Sequence, residues 1–175
     1  MTLTSEHRLV RAPDYRSGAL LLFASIAIIL AAWGFEAVGY QPCELCSLQR
    51  LAYYFAIPAA FAALVASSGG APRIAVLLYG LIVIAYLLNA GLGVYHAGVE
   101  WKYWEGPQTC SATAGGIAKG GNLLESLKKV HVVRCDEVQW RLFGLSMAGY
   151  NAILSLWLAS LAGLTIARLR RAQLS

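Results

Sequence analysis

Charge is what this chain has least of. Only 13% of its 175 residues are Asp, Glu, Lys or Arg, and 58% are hydrophobic. An average soluble domain carries roughly 25% charged and 45–50% apolar residues. So few charges exclude an ordinary soluble domain and point to an integral membrane protein. Acids are scarcer than bases, which leaves a net charge of +5. The basic residues cluster beside apolar runs, so they read as a topology signal and not as a nucleic-acid footprint. There is no internal repeat and no low-complexity tract. The first apolar run leads into a cysteine motif with no clear cleavage site, so no cleavable signal peptide is expected. The four cysteines are too few, in a chain this apolar, to staple a small secreted scaffold. They allow three pairings. The length suits one domain, residues 1–175.

What is present is a set of long apolar runs. A helix needs about 20 apolar residues to span a bilayer core. Runs of that kind cover about 18–38, 45–66, 74–95 and 144–167. Arg8, Arg11 and Arg16 precede the first, Arg73 lies in the turn before the third, and Arg168, Arg170 and Arg171 follow the fourth. These flanks put both termini on the cytoplasmic side. The expected fold is an all-α four-transmembrane-helix bundle with a short outer loop, about 39–44, and a long one, about 97–143. Within the long loop, 121–132 alternates apolar residues with lysines and reads as a short amphipathic surface helix, or as a helix packed on the bundle. Pro58 is expected to kink the second span. Asn89, Gly91 and Gly93 allow close helix approach or polar contact in the third.

The chemistry gathers at Pro42-Cys43-Glu44-Leu45-Cys46-Ser47-Leu48-Gln49-Arg50. On a helix, Cys43 and Cys46 share a face, with Arg50 one turn beyond Cys46. A thiol at a helix N-terminus beside a cation is held toward the thiolate, the species that exchanges disulfides. A dithiol redox centre, half a metal site, a structural disulfide and coincidence all share this spacing. A zinc site could draw on Cys43, Cys46, Cys110, Cys135 or His96, but Cys110 and Cys135 are separated by 24 residues, which fits no zinc knuckle. No metal is expected. Cys110 and Cys135 on an oxidising outer face could also form a purely structural bridge. Arg50, inside an apolar helix, either snorkels to headgroups or binds an electron-rich group such as a carbonyl oxygen. His96, at the end of the third run, either joins that ligand or is an interface residue. Glu36 is a functional candidate or a carboxylate reaching headgroup water. His7 and His131 read as solvent residues.

The joint pattern resembles the DsbB family of bacterial inner-membrane, quinone-dependent thiol oxidoreductases. It comprises Cys43-Glu44-Leu45-Cys46-Ser47-Leu48-Gln49-Arg50 after a first span, Tyr95-His96 after a third, and Cys110 and Cys135 in a long loop. Gln139-Trp140 and Phe143-Gly144-Leu145 then open a fourth span. The likeness covers about residues 18 to 167. It implies a bundle that reoxidises a periplasmic DsbA-like thiol oxidase and passes the electrons to ubiquinone or menaquinone, ubiquinone being the first expectation. It implies catalytic roles for Cys43, Cys46, Cys110 and Cys135. Cys110 would form the mixed disulfide with the partner, Cys135 would then join Cys43, and Cys46 would face the quinone. Arg50 and His96, with Cys46, would bind the quinone. Gln49 departs from the pattern, since better-known members carry an acid before the arginine, and the 111–134 stretch differs as well. One rival is a vitamin-K-epoxide-reductase-like thiol oxidoreductase, whose Cys-x-x-Cys normally opens the last helix of its bundle. The other is a non-enzymatic membrane scaffold with structural cysteines.

Overall fold

The computed structural model describes residues 12–106, 135, 136, 138 and 140–174. Four helices carry most of it: α1 (Ala12–Ala37), α2 (Glu44–Ser68), α3 (Pro72–Glu100) and α4 (Met147–Leu174). A small hairpin, β1 (Arg141–Leu142) paired antiparallel with β2 (Leu145–Ser146), precedes α4. Each helix is long and apolar enough to cross a membrane. The chain is an all-α four-helix membrane bundle.

Local chemistry sets the helix ends. Gly39 turns the chain after α1 with φ at 112°, a conformation that favours glycine. Cys43 is the N-cap of α2, its sulfur accepting from the Cys46 N–H, and Pro42 stands just before it. Gly69 and Gly70 close α2, and Pro72 opens α3, where its missing N–H costs nothing. α2 continues as helix through Pro58.

Small side chains let the helices approach. Ala56, Ala59, Ala60 and Ala63 of α2 are buried, and their spacing puts them on one face. On α4, Ala148, Ala152, Ala159 and Ala162 are buried as well. Gly93 of α3 meets Ala152: a Cβ there would lie 3.0 Å from it, whereas one at Gly91 would meet nothing within 4 Å. The most extensive helix contact is α3 against α4. Between the helices runs a polar layer that has to be paired, because lipid offers no partners. Ser25 of α1 hydrogen-bonds Tyr86 of α3 at 2.7 Å, Tyr53 of α2 donates to Asn151 of α4 at 2.8 Å, and Asn89 of α3 donates to Ser155 of α4 at 2.9 Å. Outward, Phe23, Phe61, Leu77 and Leu88 are exposed, as a lipid-facing surface requires.

Two of the helix ends that lie away from the expected span ends shape the site. α3 runs to Glu100, a turn past the expected end near Tyr95, and His96 is buried within it. The chain after α3 folds back and covers this turn. Trp104 donates to the Tyr95 carbonyl at 2.8 Å and stacks on the Tyr95 ring, and its indole occupies the space a Cβ on Gly98 would need. The fourth helix starts at Met147 because Phe143 (φ 50°) and Gly144 (φ 83°) form the hairpin turn. Positive φ at both central residues is what a tight two-residue hairpin turn demands. Cys110, His7, His131 and the 121–132 segment lie outside the described residues.

Candidate active site

The start of α2 holds the dithiol. Cys43, with extended backbone (φ −77°, ψ 175°), caps the helix, and its Sγ lies 3.3 Å from the Cys46 N–H nitrogen and 3.0 Å from Cys46 Sγ. His96 Nε2 is 3.6 Å from the same sulfur. Hydrogen bonding from Cys46 first, and then from His96, holds the Cys43 thiol well below the ordinary thiol range, against the opposing effect of burial. The Cys46 N–H donates to this sulfur, and the Cys46 thiol and the His96 ring stand within hydrogen-bonding reach of it.

Cys135 comes to the same place from the loop. It is buried and disulfide-bonded. Cys43 and Cys46 are both free thiols, so neither is its partner. The reactive atoms of Cys43, His96 and Cys135 all lie within 4.8 Å of one another. Such a cluster could hold a metal by spacing alone, but a sulfur in a disulfide has no thiolate to donate. A thiolate beside a disulfide sulfur is instead the geometry of thiol–disulfide exchange. Lys102, just past α3, pairs with Asp136 at 2.6 Å and ties this part of the loop to the end of α3.

Arg50 lies deeper on α2. Its Nη1 meets Glu36 Oε2 of α1 at 2.7 Å, so the two ionisable residues singled out separately in the sequence are one ion pair. Beside them is a cavity of about 390 Å³, within the usual size of small-molecule sites. Cys46, Arg50 and His96 line it together with Ile28, Ala31 and Leu154. Ala31 of this lining is exposed and lies on α1, a helix long and apolar enough to cross a membrane. A planar ring with polar carbonyl edges and an apolar tail suits this donor set. The guanidinium offers hydrogen-bond donors to the carbonyls, and the aliphatic side chains of the lining accept the tail.

Three further residues join the site without having been singled out for it in the sequence. Gln49 is buried, lies 3.1 Å from His96 Nδ1 through its Nε2, and accepts from Asn151 Nδ2 at 2.9 Å. Glu100 Oε1 stands 4.0 Å from His96 Nε2, one turn along α3. Only helical spacing from His96 could have signalled Glu100; nothing local signals Asn151, which lies 102 residues from Gln49.

Comparison with known proteins agrees with this geometry. The profile of the family "Disulfide bond formation protein DsbB" matches residues 15–165. Disulfide bond formation protein B of Saccharophagus degradans is 26% identical over 151 residues, covering 83% of this chain and 89% of that protein. The protein of the same name from Xanthomonas oryzae pv. oryzae is 28% identical over 156 residues, covering 84% and 90%. No solved structure matches. With the family profile matched over most of its length, this four-helix membrane protein belongs to the DsbB family, the membrane oxidoreductases that generate protein disulfides with quinone as electron acceptor.

Proposed function

We propose that this protein reoxidises a periplasmic DsbA-like dithiol through Cys110 and Cys135, relays the electrons to Cys43 and Cys46, and delivers them to ubiquinone held by Arg50, His96 and Cys46. The whole chain, 1–175, acts as one membrane domain, with both termini cytoplasmic and the loops about 39–44 and 97–143 periplasmic. The observation that carries the reading is the meeting of Cys43, His96 and the disulfide sulfur of Cys135 within 4.8 Å, next to a cavity lined by Cys46 and Arg50.

The exchange balances as follows. A partner thiolate attacks Cys110, a partner–Cys110 disulfide forms, and Cys135 leaves as thiolate. Cys135 attacks Cys43 of the oxidised inner pair, and Cys46 leaves as thiolate. The partner's second thiolate then resolves the mixed disulfide and frees Cys110, whose attack on Cys135 restores the loop bridge and releases Cys43. His96 donates to Cys43 Sγ, which makes this sulfur a better leaving group at that step. The inner pair now carries two electrons. A bound quinone supplies the acceptor for that pair and for two protons. Arg50 holds positive potential at the cavity, Cys46 presents its sulfur there, and closure of the Cys43–Cys46 disulfide completes the cycle.

The test is quinol formation, followed by absorbance, with purified protein, a reduced DsbA-like dithiol and short-chain ubiquinone or menaquinone in parallel. Wild type is expected to turn over ubiquinone, and Cys46→Ser none. Absence of quinol with either quinone, or full activity in Cys46→Ser, overturns the proposal. Turnover of menaquinone alone overturns only the choice of quinone.

A further inference from the structure

Gln49 lies in a directional chain of hydrogen bonds. At its far end, Asn151 Oδ1 accepts from Tyr53 at 2.8 Å and from Asn89 Nδ2 at 3.4 Å. That turns Asn151 Nδ2 toward Gln49 Oε1, at 2.9 Å. An amide whose oxygen is taken has only its NH2 left to offer, so Gln49 Nε2 faces His96 Nδ1, at 3.1 Å, as a donor. Nδ1 must then be the bare nitrogen.

The opposite edge of the ring makes the same demand independently. His96 Nε2 faces Cys43 Sγ at 3.6 Å and Glu100 Oε1 at 4.0 Å. Both are acceptors when charged, so a lone pair on Nε2 would face two electron-rich atoms. A neutral imidazole satisfies both edges in one tautomer only, with its proton on Nε2.

We propose that Gln49 is a positioning residue that fixes neutral His96 in the Nε2–H tautomer, so that the ring donates to Cys43 Sγ. An acid at position 49 would reverse the demand at Nδ1. It could accept only from Nδ1–H, and donation to Cys43 would then require a doubly protonated ring. With Gln49 the ring serves Cys43 without taking up a second proton. The inference deepens the proposed relay and rests on it for its consequence, but the tautomer itself depends on no quinone or partner. The titratable and charged groups around the ring are Cys43 at the N-cap of α2, Cys46 on α2, Glu100 on α3, and Arg141 of β1 acting on Glu100; the disulfide sulfur of Cys135 also faces it but does not titrate.

The test is 15N NMR of imidazole-labelled full-length protein in detergent, with His96→Gln used to assign the His96 signals above the pH at which the ring loses its second proton. Wild type is expected to show a protonated Nε2 and a bare Nδ1, and Gln49→Glu to gain a proton on Nδ1. In Gln49→Leu the two nitrogens should move toward a tautomer average. The pH midpoint for alkylation of Cys43, read by peptide mass spectrometry after reduction without quinone, should also rise by about one unit, the scale of one lost hydrogen bond. A wild-type ring protonated on Nδ1 overturns the proposal outright, and so does Gln49→Leu with both readouts unmoved. If Gln49→Leu does not fold, the wild-type spectrum still decides. Loss of quinol formation with the tautomer as expected would sink the relay and leave this inference standing.

Discussion

Arg50 and Glu36 form an ion pair across α1 and α2, with Nη1 and Oε2 2.7 Å apart, at the wall of the cavity. The pair balances the charge of a carboxylate that would otherwise stand next to Arg50 at the proposed quinone site. Arg50→Ala should therefore raise the apparent quinone KM about tenfold, the scale of one charge-assisted hydrogen bond. Adding Glu36→Gln should recover about threefold of that loss, because the orphaned anion is gone. Steady-state kinetics on the two single variants and the double variant measure the coupling. No recovery in the double variant would show that Glu36 only orients the arginine.

The lowered pKa of Cys43 has a definite pH signature. Its thiolate persists below the ordinary thiol value of about 8.5, so its alkylation rate should already be level at neutral pH and fall only on acidification. A rate that climbs tenfold per pH unit between 7 and 8 would contradict this. The sign for stability follows: a depressed folded pKa stabilises the fold above the unfolded thiol value, and that contribution is lost as pH falls through the folded value.

Cys110→Ser should separate the two half-reactions. Exchange with the protein dithiol should fall to background, while chemically reduced Cys43 and Cys46 still reduce quinone in a single turnover. Stopped-flow absorbance distinguishes them, and equal loss of both would place Cys110 outside the assigned role.

Gly93→Val should destabilise the bundle by about 1–3 kcal/mol, since the added side chain meets Ala152 on α4. Gly91→Ala, whose Cβ enters open space, should be neutral or slightly stabilising. Thermal unfolding in one detergent compares them directly.

The four helices were legible in the sequence because lipid imposes a length and a polarity on every span. The Cys43–Cys46–Arg50 arrangement was legible because helical spacing is local. The partnerships were not. Glu36 and Arg50 lie on different helices, and each had a sufficient explanation alone. Gln49 read as a departure from a family pattern, and its role depends on Asn151 and His96, which only bundle packing brings near. His96 read as a ligand-binding or an interface residue, and its burial did not, because the Trp104 fold-back over Tyr95 and Gly98, which covers the last turn of α3, has no periodic signal. The hairpin at Phe143-Gly144 was absorbed into an apolar run, since hydrophobicity does not register a change of backbone sign.

Ile28, Ala31 and Leu154 of the cavity lining all lie on helices long and apolar enough to cross a membrane, so under the proposed function the bilayer is the reservoir for the acceptor. The concentration that governs turnover is then a mole fraction in a two-dimensional phase, not moles per litre of buffer. Adding empty lipid or detergent at fixed protein and fixed total quinone should slow the enzyme by surface dilution alone. Rates measured in different micelles become comparable only when expressed per amphiphile.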